Sequence, residues 1–159
     1  MTAFALREAG DADGPWIVAR HGEVYAREHG WDATFERQVA GIVAAAPLAG
    51  WIAVDARTGE RVGCVLCARG DDEGVAKLRA LLVLPGHRGH GIGRALAQRC
   101  VAYARDAGFS RLSLWTVDAL ADARRLYASL GFAVTDERPV VQFGQAMVDV
   151  LMELDLGGA

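Results

Sequence analysis

Between His87 and Gln98 the chain reads HRGHGIGRALAQ, with glycine at every second position from 89 to 93 and Arg88, His90 and Arg94 around them. Before it, VAKLRALLV (75–83) alternates as a strand does until Pro85; after it, Ile92, Leu96, Cys100, Tyr103 and Ala107 recur on one helical face until Gly108. A strand that turns sharply into a helix with its main chain left bare restricts the fold more than any other stretch. Glycine permits both the turn and a close approach of backbone to a ligand. Successive unpaired amides form an anion nest, the positive end of the helix dipole adds to it, and a phosphate fits there. Arginine beside the nest can hold a diphosphate by paired hydrogen bonds. The plain alternative is a glycine-rich connection edged by solvated basic residues.

The flanking pattern predicts an α/β domain. AFALR reads as an edge strand; Asp13 and Pro15 start a helix through WIVARHGEVYARE, with Trp16, Val24 and Tyr25 as its apolar stripe. Asp32 caps a second helix, in which Phe35, Val39, Ile42, Val43 and Ala46 keep helical spacing until Pro47. WIAVDA, a turn at RTGE and RVGCVLCA form a hairpin. RLSLWTV is a further strand, ALADARRLYASL a helix stopped by Gly131, and FAVTDERPV with AMVDVLMELDL an antiparallel pair around FGQ. The crossover from LRALLV to LSLWTV should be right-handed, leaving those strands parallel and adjacent with the ligand end at their carboxyl termini.

At 159 residues, 52% apolar and 23% charged, the chain is expected to form a single domain over residues 1–159. A net charge of −3 argues against nucleic acid as partner. The start, MTAFALREAGDADG, lacks an apolar signal core, and the uncharged run Val39–Val54 is broken by Pro47 and Gly50. Cytoplasmic residence without a membrane span is expected. Cys64 and Cys67 lie three apart on a strand and so face opposite ways; they and Cys100 read as buried thiols. No His, Asp or Glu pair has metal-ligand spacing, and His21 and His87 read as surface residues. The loop lacks the Gly-Lys-Ser/Thr of a nucleotide triphosphate site, and the position of a third dinucleotide-type glycine is Arg94.

Arg88-Gly89-His90-Gly91-Ile92-Gly93 resembles the Arg/Gln-x-x-Gly-x-Gly/Ala signature of the GNAT acyltransferases, and ARRLYASLGF (123–132) resembles their second signature. The order of elements along the whole chain is similar to the GNAT fold. GEVYAREHGWDATFE, VAKLRALLV and SLWTV look more narrowly like the acetyltransferase half of MarR–GNAT fusion proteins, without the winged-helix half. The resemblance implies a mixed, mostly antiparallel sheet splayed at its parallel pair and flanked by about four helices. It implies acetyl-CoA as donor and an amine as acceptor. Leu82, Val83, Leu84, Arg88, Gly89, His90, Gly91, Ile92, Gly93, Arg94 and Ala123 are the residues it assigns to coenzyme A, with the Val83 amide on the thioester carbonyl.

Acetyl transfer needs an unprotonated nitrogen, a polarised carbonyl and a proton for the leaving thiolate. Tyr127, placed by the second signature, is the expected acid: a phenol of pKa about 10 facing a thiolate whose conjugate acid lies near 8.5. Packing in the helix face with Leu120, Ala123 and Leu130 is the alternative for Tyr127. Many GNAT sequences have asparagine where this helix begins; TVDAL offers Asp118, expected to cap the helix. Asp72, Glu73 and Glu28 are the candidates for a base; the favoured alternative for each is a solvated surface carboxylate, and an amine that binds neutral needs no base. The resembled fold frames an acceptor pocket with the first helix pair and last hairpin, which points to Tyr25, Glu28, His29, Trp31, Phe35 and Phe143; core packing is the alternative for each aromatic ring and a solvent-facing helix end for His29. An aromatic wall there suits the primary amine of a small molecule. The rival readings are acetylation of a protein lysine or N-terminus, a non-catalytic acyl-CoA-binding module and a nucleotide-binding regulator. A homodimer joined through the last hairpin is compatible with the pattern.

Overall fold

The computed structural model describes residues 3–157, and in it every expected element forms. In chain order these are β1 (Phe4–Glu8), α1 (Gly14–His29), α2 (Ala33–Ala44), β2 (Ala49–Asp55), β3 (Arg61–Arg69), β4 (Val75–Val83), α3 (Ile92–Asp106), β5 (Arg111–Val117), α4 (Ala121–Ser129), β6 (Ala133–Gln142) and β7 (Gln145–Asp155). The seven strands make one sheet ordered β1-β2-β3-β4-β5-β7-β6, antiparallel throughout except for β4 beside β5. This is the expected α/β fold with its mostly antiparallel sheet and four flanking helices.

Each sheet face buries its own core. On one, Val65, Cys67, Ala76, Leu78, Leu112 and Leu114 pack against Leu96, Ala97 and Cys100 of α3. On the other, Ile52, Cys64, Leu66 and Leu82 meet Ile17, Val24 and Val39 of α1 and α2. Cys64 and Cys67 thus face opposite ways, as their spacing requires. The buried stripe of α1 is Ile17, His21 and Val24, at helical spacing.

The ends of α1 and α2 differ in chemistry. Asp32 caps α2, its carboxylate accepting from the Thr34 amide at 2.9 Å. Asp13 occupies the corresponding position before α1 but makes no such bond. Its buried carboxylate is gripped by Arg7 at 2.8 and 2.9 Å, by Arg61 at 2.8 Å and by the Gly10 amide at 2.7 Å. Asp13 therefore ties β1 and β3 to the start of α1.

Two irregularities in β4 shape the ligand end. Ala80 adopts φ 56°, and the pairing jumps from Leu66↔Arg79 to Cys64↔Leu82, so Ala80 and Leu81 together oppose Val65. This bulge reverses the alternation of β4. Ala76 and Leu78 face α3, whereas Ala80, Leu82 and Leu84 face α1 and α2. The Cys64 thiol donates to the Ala80 carbonyl at 3.2 Å. The parallel ladder to β5 is also short: Val75, Ala76 and Lys77 pair with Arg111, Leu112 and Ser113, and beyond them the two strands part.

Candidate active site

Two cavities meet where β4 and β5 separate. One, of about 660 Å³, runs from the end of β4 past the glycine loop to the first turns of α3 and α4. The other, of about 370 Å³, lies between α1, α2, the sheet and the β6–β7 turn. Tyr25, Leu81, Leu120 and Ala123 line both and form the throat between them.

The glycine loop has the geometry its sequence demands. Gly89 and Gly91 take φ 82° and 83°, and a Cβ on either would meet nothing within 4 Å. Left-handed backbone, not crowding, requires glycine there. Gly91 begins α3, and no side chain among the described residues caps that helix. Its first amides are left for an anion. At Gly93 a Cβ would sit 3.6 Å from Val83 and 3.5 Å from Leu126, on the floor of the groove between β4 and α4.

The three basic residues do not share one task. Arg88 donates to both oxygens of Glu28, at 2.8 and 2.9 Å, and through Nε to the Val83 carbonyl at 3.1 Å. Glu28 is thereby held below the usual carboxylate range, first by that hydrogen bonding. Arg94 donates to the Ser129 hydroxyl at 2.8 Å, bridging α3 to α4. His90 is exposed and lines neither cavity, whereas His87 lines the larger one, with Nε2 3.9 Å from Asp55.

The end of β4 offers one amide to the throat. The Leu84 N–H donates to the Val62 carbonyl at 2.9 Å, toward β3, and is therefore spent. Because successive strand amides point to opposite edges, the Val83 N–H is turned toward the gap beside β5. The Leu82 side chain is buried against α1 and α2. Ile92 is buried beneath the loop and Ala123 lies at the throat.

Tyr127 is buried on α4, its ring 5.8 Å from that of Phe132, and it lines the smaller cavity. Burial pushes its phenol well above the ordinary value, so it stays protonated at neutral pH. The same burial makes any thiolate arriving beside it more basic. Tyr25, across the throat, is pushed up to about 12 chiefly by burial.

The expected aromatic residues come together. Tyr25, Trp31, Phe35 and Phe143 have ring centroids 4.7 to 5.0 Å apart, and all four line the smaller cavity. Phe143 holds φ 56° in the β6–β7 turn, and its carbonyl accepts from the Asp32 amide at 3.1 Å, fastening the hairpin to the start of α2. His29 stacks on Tyr25 at 5.7 Å but, like Glu28, lines the larger cavity.

Several expectations are corrected. His21 is 2% exposed, not a surface residue, because it falls in the buried stripe of α1. Its Nδ1 lies 2.7 Å from the Ile17 carbonyl, its Nε2 has no partner, and burial lowers its pKa to about 4. Asp118 does not cap α4: its carboxylate accepts from the Val148 amide at 3.0 Å, joining β5 to β7. Asp72 and Glu73 are exposed, as the favoured surface reading has it; they sit in the β3–β4 turn, at the end of β4 remote from Val83, and line neither cavity. Sequence reasoning missed the polar side of the smaller cavity, formed by Lys77, Arg79, Arg138, Gln142 and Asp149. The signal was the change from Lys77 and Arg79 to Leu81 and Val83 at alternate positions of one strand, which a bulge explains.

The model of the Acetyltransferase (GNAT) family matches residues 8–132. The chain belongs to the GNAT acetyltransferase family. Its GNAT relatives include the N-acetyltransferase 8F1 of Rattus norvegicus, 32% identical over 121 residues, which are 75% of this chain and 47% of that one. The IAA acetyltransferase of Azospirillum brasilense is 36% identical over 100 residues, 63% of this chain and 64% of that one. The chain spans about half the length of the first curated relatives it matches. Among solved structures, yncA, a putative acetyltransferase from Salmonella typhimurium with its cofactor acetyl-CoA, superposes with a TM-score of 0.76 at 22% identity, covering 99% of this chain and 96% of that one. That likeness concerns the GNAT fold. Among the described residues no helix is long and apolar enough to cross a membrane, and no group of three or more His, Cys, Asp and Glu could hold a metal ion.

Proposed function

We propose that this GNAT chain is an acetyl-CoA-dependent N-acetyltransferase whose acceptor is the primary amine of a small molecule, and that it works as a single domain. The observation that carries this reading is the pair of cavities joined at Tyr25, Leu81, Leu120 and Ala123. One has an anion nest at its far end and the other an aromatic wall, so a long phosphorylated donor and a compact acceptor can meet at the Val83 amide. Coenzyme A fits the residues present. The uncapped first turn of α3 and the left-handed Gly89 and Gly91 supply amides for a diphosphate. The bare floor at Gly93 and the unpaired edge of β4 leave room for a pantetheine arm.

Bound acetyl-CoA supplies a thioester: the acceptor nitrogen bonds to the acetyl carbon, the C–S bond breaks, the nitrogen loses one proton and the sulfur gains one. The Val83 N–H polarises the acetyl oxygen. Tyr127, kept protonated by burial, gives its proton to the sulfur and recovers one from water. Glu28 is engaged with Arg88 and does not act as the base; the amine enters neutral, having left its surplus proton in water. Tyr25 and the aromatic wall orient it. Arg88, paired with Glu28 and the Val83 carbonyl, acts as a strut for the loop and not as a clamp on the diphosphate.

The likeness to the acetyltransferase half of MarR–GNAT fusion proteins belongs to this reading, as do cytoplasmic residence and the absence of a nucleic-acid or membrane partner. A homodimer through the last hairpin would have to form without strand pairing along the outer edge of β6, which carries Pro139 and the charges of Asp136, Glu137 and Arg138.

A thiol-release assay with acetyl-CoA against small amines, amino acids, aminoglycosides and peptides tests the reading. Turnover with a small amine supports it. Turnover confined to peptides would transfer the function to protein acetylation, and coenzyme A binding without turnover on any amine would make the chain an acyl-CoA-binding module.

A further inference from the structure

Arg79 stands on β4 immediately before the bulge, half-buried and facing the smaller cavity. It has no ion pair and no side-chain hydrogen bond to any described residue. The other charged groups lining that cavity are engaged. Lys77 pairs with Asp71 at 3.1 Å, Asp149 accepts from Gln142 at 2.7 Å, and the Arg138 guanidinium lies 4.5 Å from the centre of the Trp115 ring. Three cations and one carboxylate line the cavity, so its charge favours an anion. A half-buried guanidinium has lost part of its hydration, and the carboxylate whose charge reaches it, Asp71, is bonded to Lys77 and makes no ion pair with it; the planar fork of arginine matches a carboxylate. The same cavity is lined by the rings of Tyr25, Trp31, Phe35 and Phe143, packed face to face or edge-on, an apolar surface with no charge of its own.

Building on the acetyltransferase reading above, we propose that Arg79 binds the carboxylate of the acceptor and that the acceptor is an amino acid with an apolar side chain. Its amine then points to the throat beside Val83 and Tyr127, its carboxylate to Arg79, and its side chain to the aromatic wall. Three differently oriented contacts explain why one cavity of about 370 Å³ combines an aromatic wall with an unpaired arginine.

Matched pairs of acceptors differing only in the carboxylate provide the test: L-phenylalanine against phenethylamine and L-leucine against isopentylamine, by thiol release at saturating acetyl-CoA. The expected result is a kcat/KM, referred to the neutral amine, at least tenfold higher for each amino acid. Arg79→Gln should raise the KM for L-phenylalanine by roughly ten- to hundredfold, the scale of a charged hydrogen bond, and shrink the preference accordingly. Arg79→Lys, which keeps the charge without the fork, should restore part of it. Calorimetric titration of coenzyme A, unchanged in both variants, reports that they are folded. Equal kcat/KM within the pairs, or an unchanged KM for the amino acid in Arg79→Gln, overturns the proposal while leaving the acetyltransferase reading standing. No thiol release with any amine overturns both.

Discussion

Arg88 of the glycine loop holds Glu28 of α1 with two hydrogen bonds, at 2.8 and 2.9 Å, across 60 positions of the chain. The loop is thus braced against the helix that also carries Tyr25 before any ligand arrives. If the brace works through Glu28, Glu28→Gln and Arg88→Gln should weaken coenzyme A binding by a similar few-fold factor, and the double variant should be no worse than either. A direct arginine–phosphate contact would instead make Arg88→Gln much the more damaging. Calorimetry on the three variants decides.

Tyr127→Phe removes a proton donor while leaving the ring in its packing. A general acid contributes about 10²–10⁴-fold, so kcat should fall at least about a hundredfold with coenzyme A affinity unchanged. Because burial raises the phenol pKa, the wild type should show no alkaline loss attributable to Tyr127 up to about pH 10, its ordinary value. Unchanged turnover in the variant would remove Tyr127 from the reaction.

Gly91→Ala introduces no clash, since nothing lies within 4 Å of the new methyl, but it opposes φ 83°. The expected cost is about 1–2 kcal/mol of stability, measured by denaturant unfolding. Coenzyme A affinity should fall about tenfold as the amides turn out of the nest.

Two buried groups contribute to the acid stability. His21, with its folded pKa lowered to about 4 by burial, binds its proton more readily when unfolded. Stability should therefore drop as pH falls from about 6.5 towards 4, by an amount on the order of 3 kcal/mol. Asp13 has the opposite charge but the same sense: its carboxyl is held well below the usual range first by the Arg7 hydrogen bonds, so its contribution is present above about pH 4 and lost below it. Thermal unfolding of His21→Phe should show a flatter slope between pH 6 and 4. Asp13→Asn should be destabilised by about 2–3 kcal/mol at pH 7, with the partners' exposure discounting the larger cost of a fully buried pair.

The readable parts of the chain were those governed by local periodicity and turn chemistry. Glycines at 89 and 91 after an alternating strand announced the left-handed turn into α3, Asp32 announced its helix, and the three-residue spacing of Cys64 and Cys67 settled their faces. The aromatic residues of GEVYAREHGWDATFE were correctly grouped because one helix turn and one tight link bring them together. Reading failed where a side chain's partner lay far along the chain. Asp13 looked like a cap and is held across the fold by Arg61; Asp118 looked like a cap and binds Val148.

Sequence alone determined the order of elements, the parallel crossover and the exposed amides of the glycine loop, because each follows from backbone geometry within a few residues. Only the folded chain decided which way β4 faces beyond Arg79, where β4 and β5 part and which charge remains unpaired in the smaller cavity. A bulge moves every later side chain to the other face, and a charge is compensated only by what tertiary packing sets beside it.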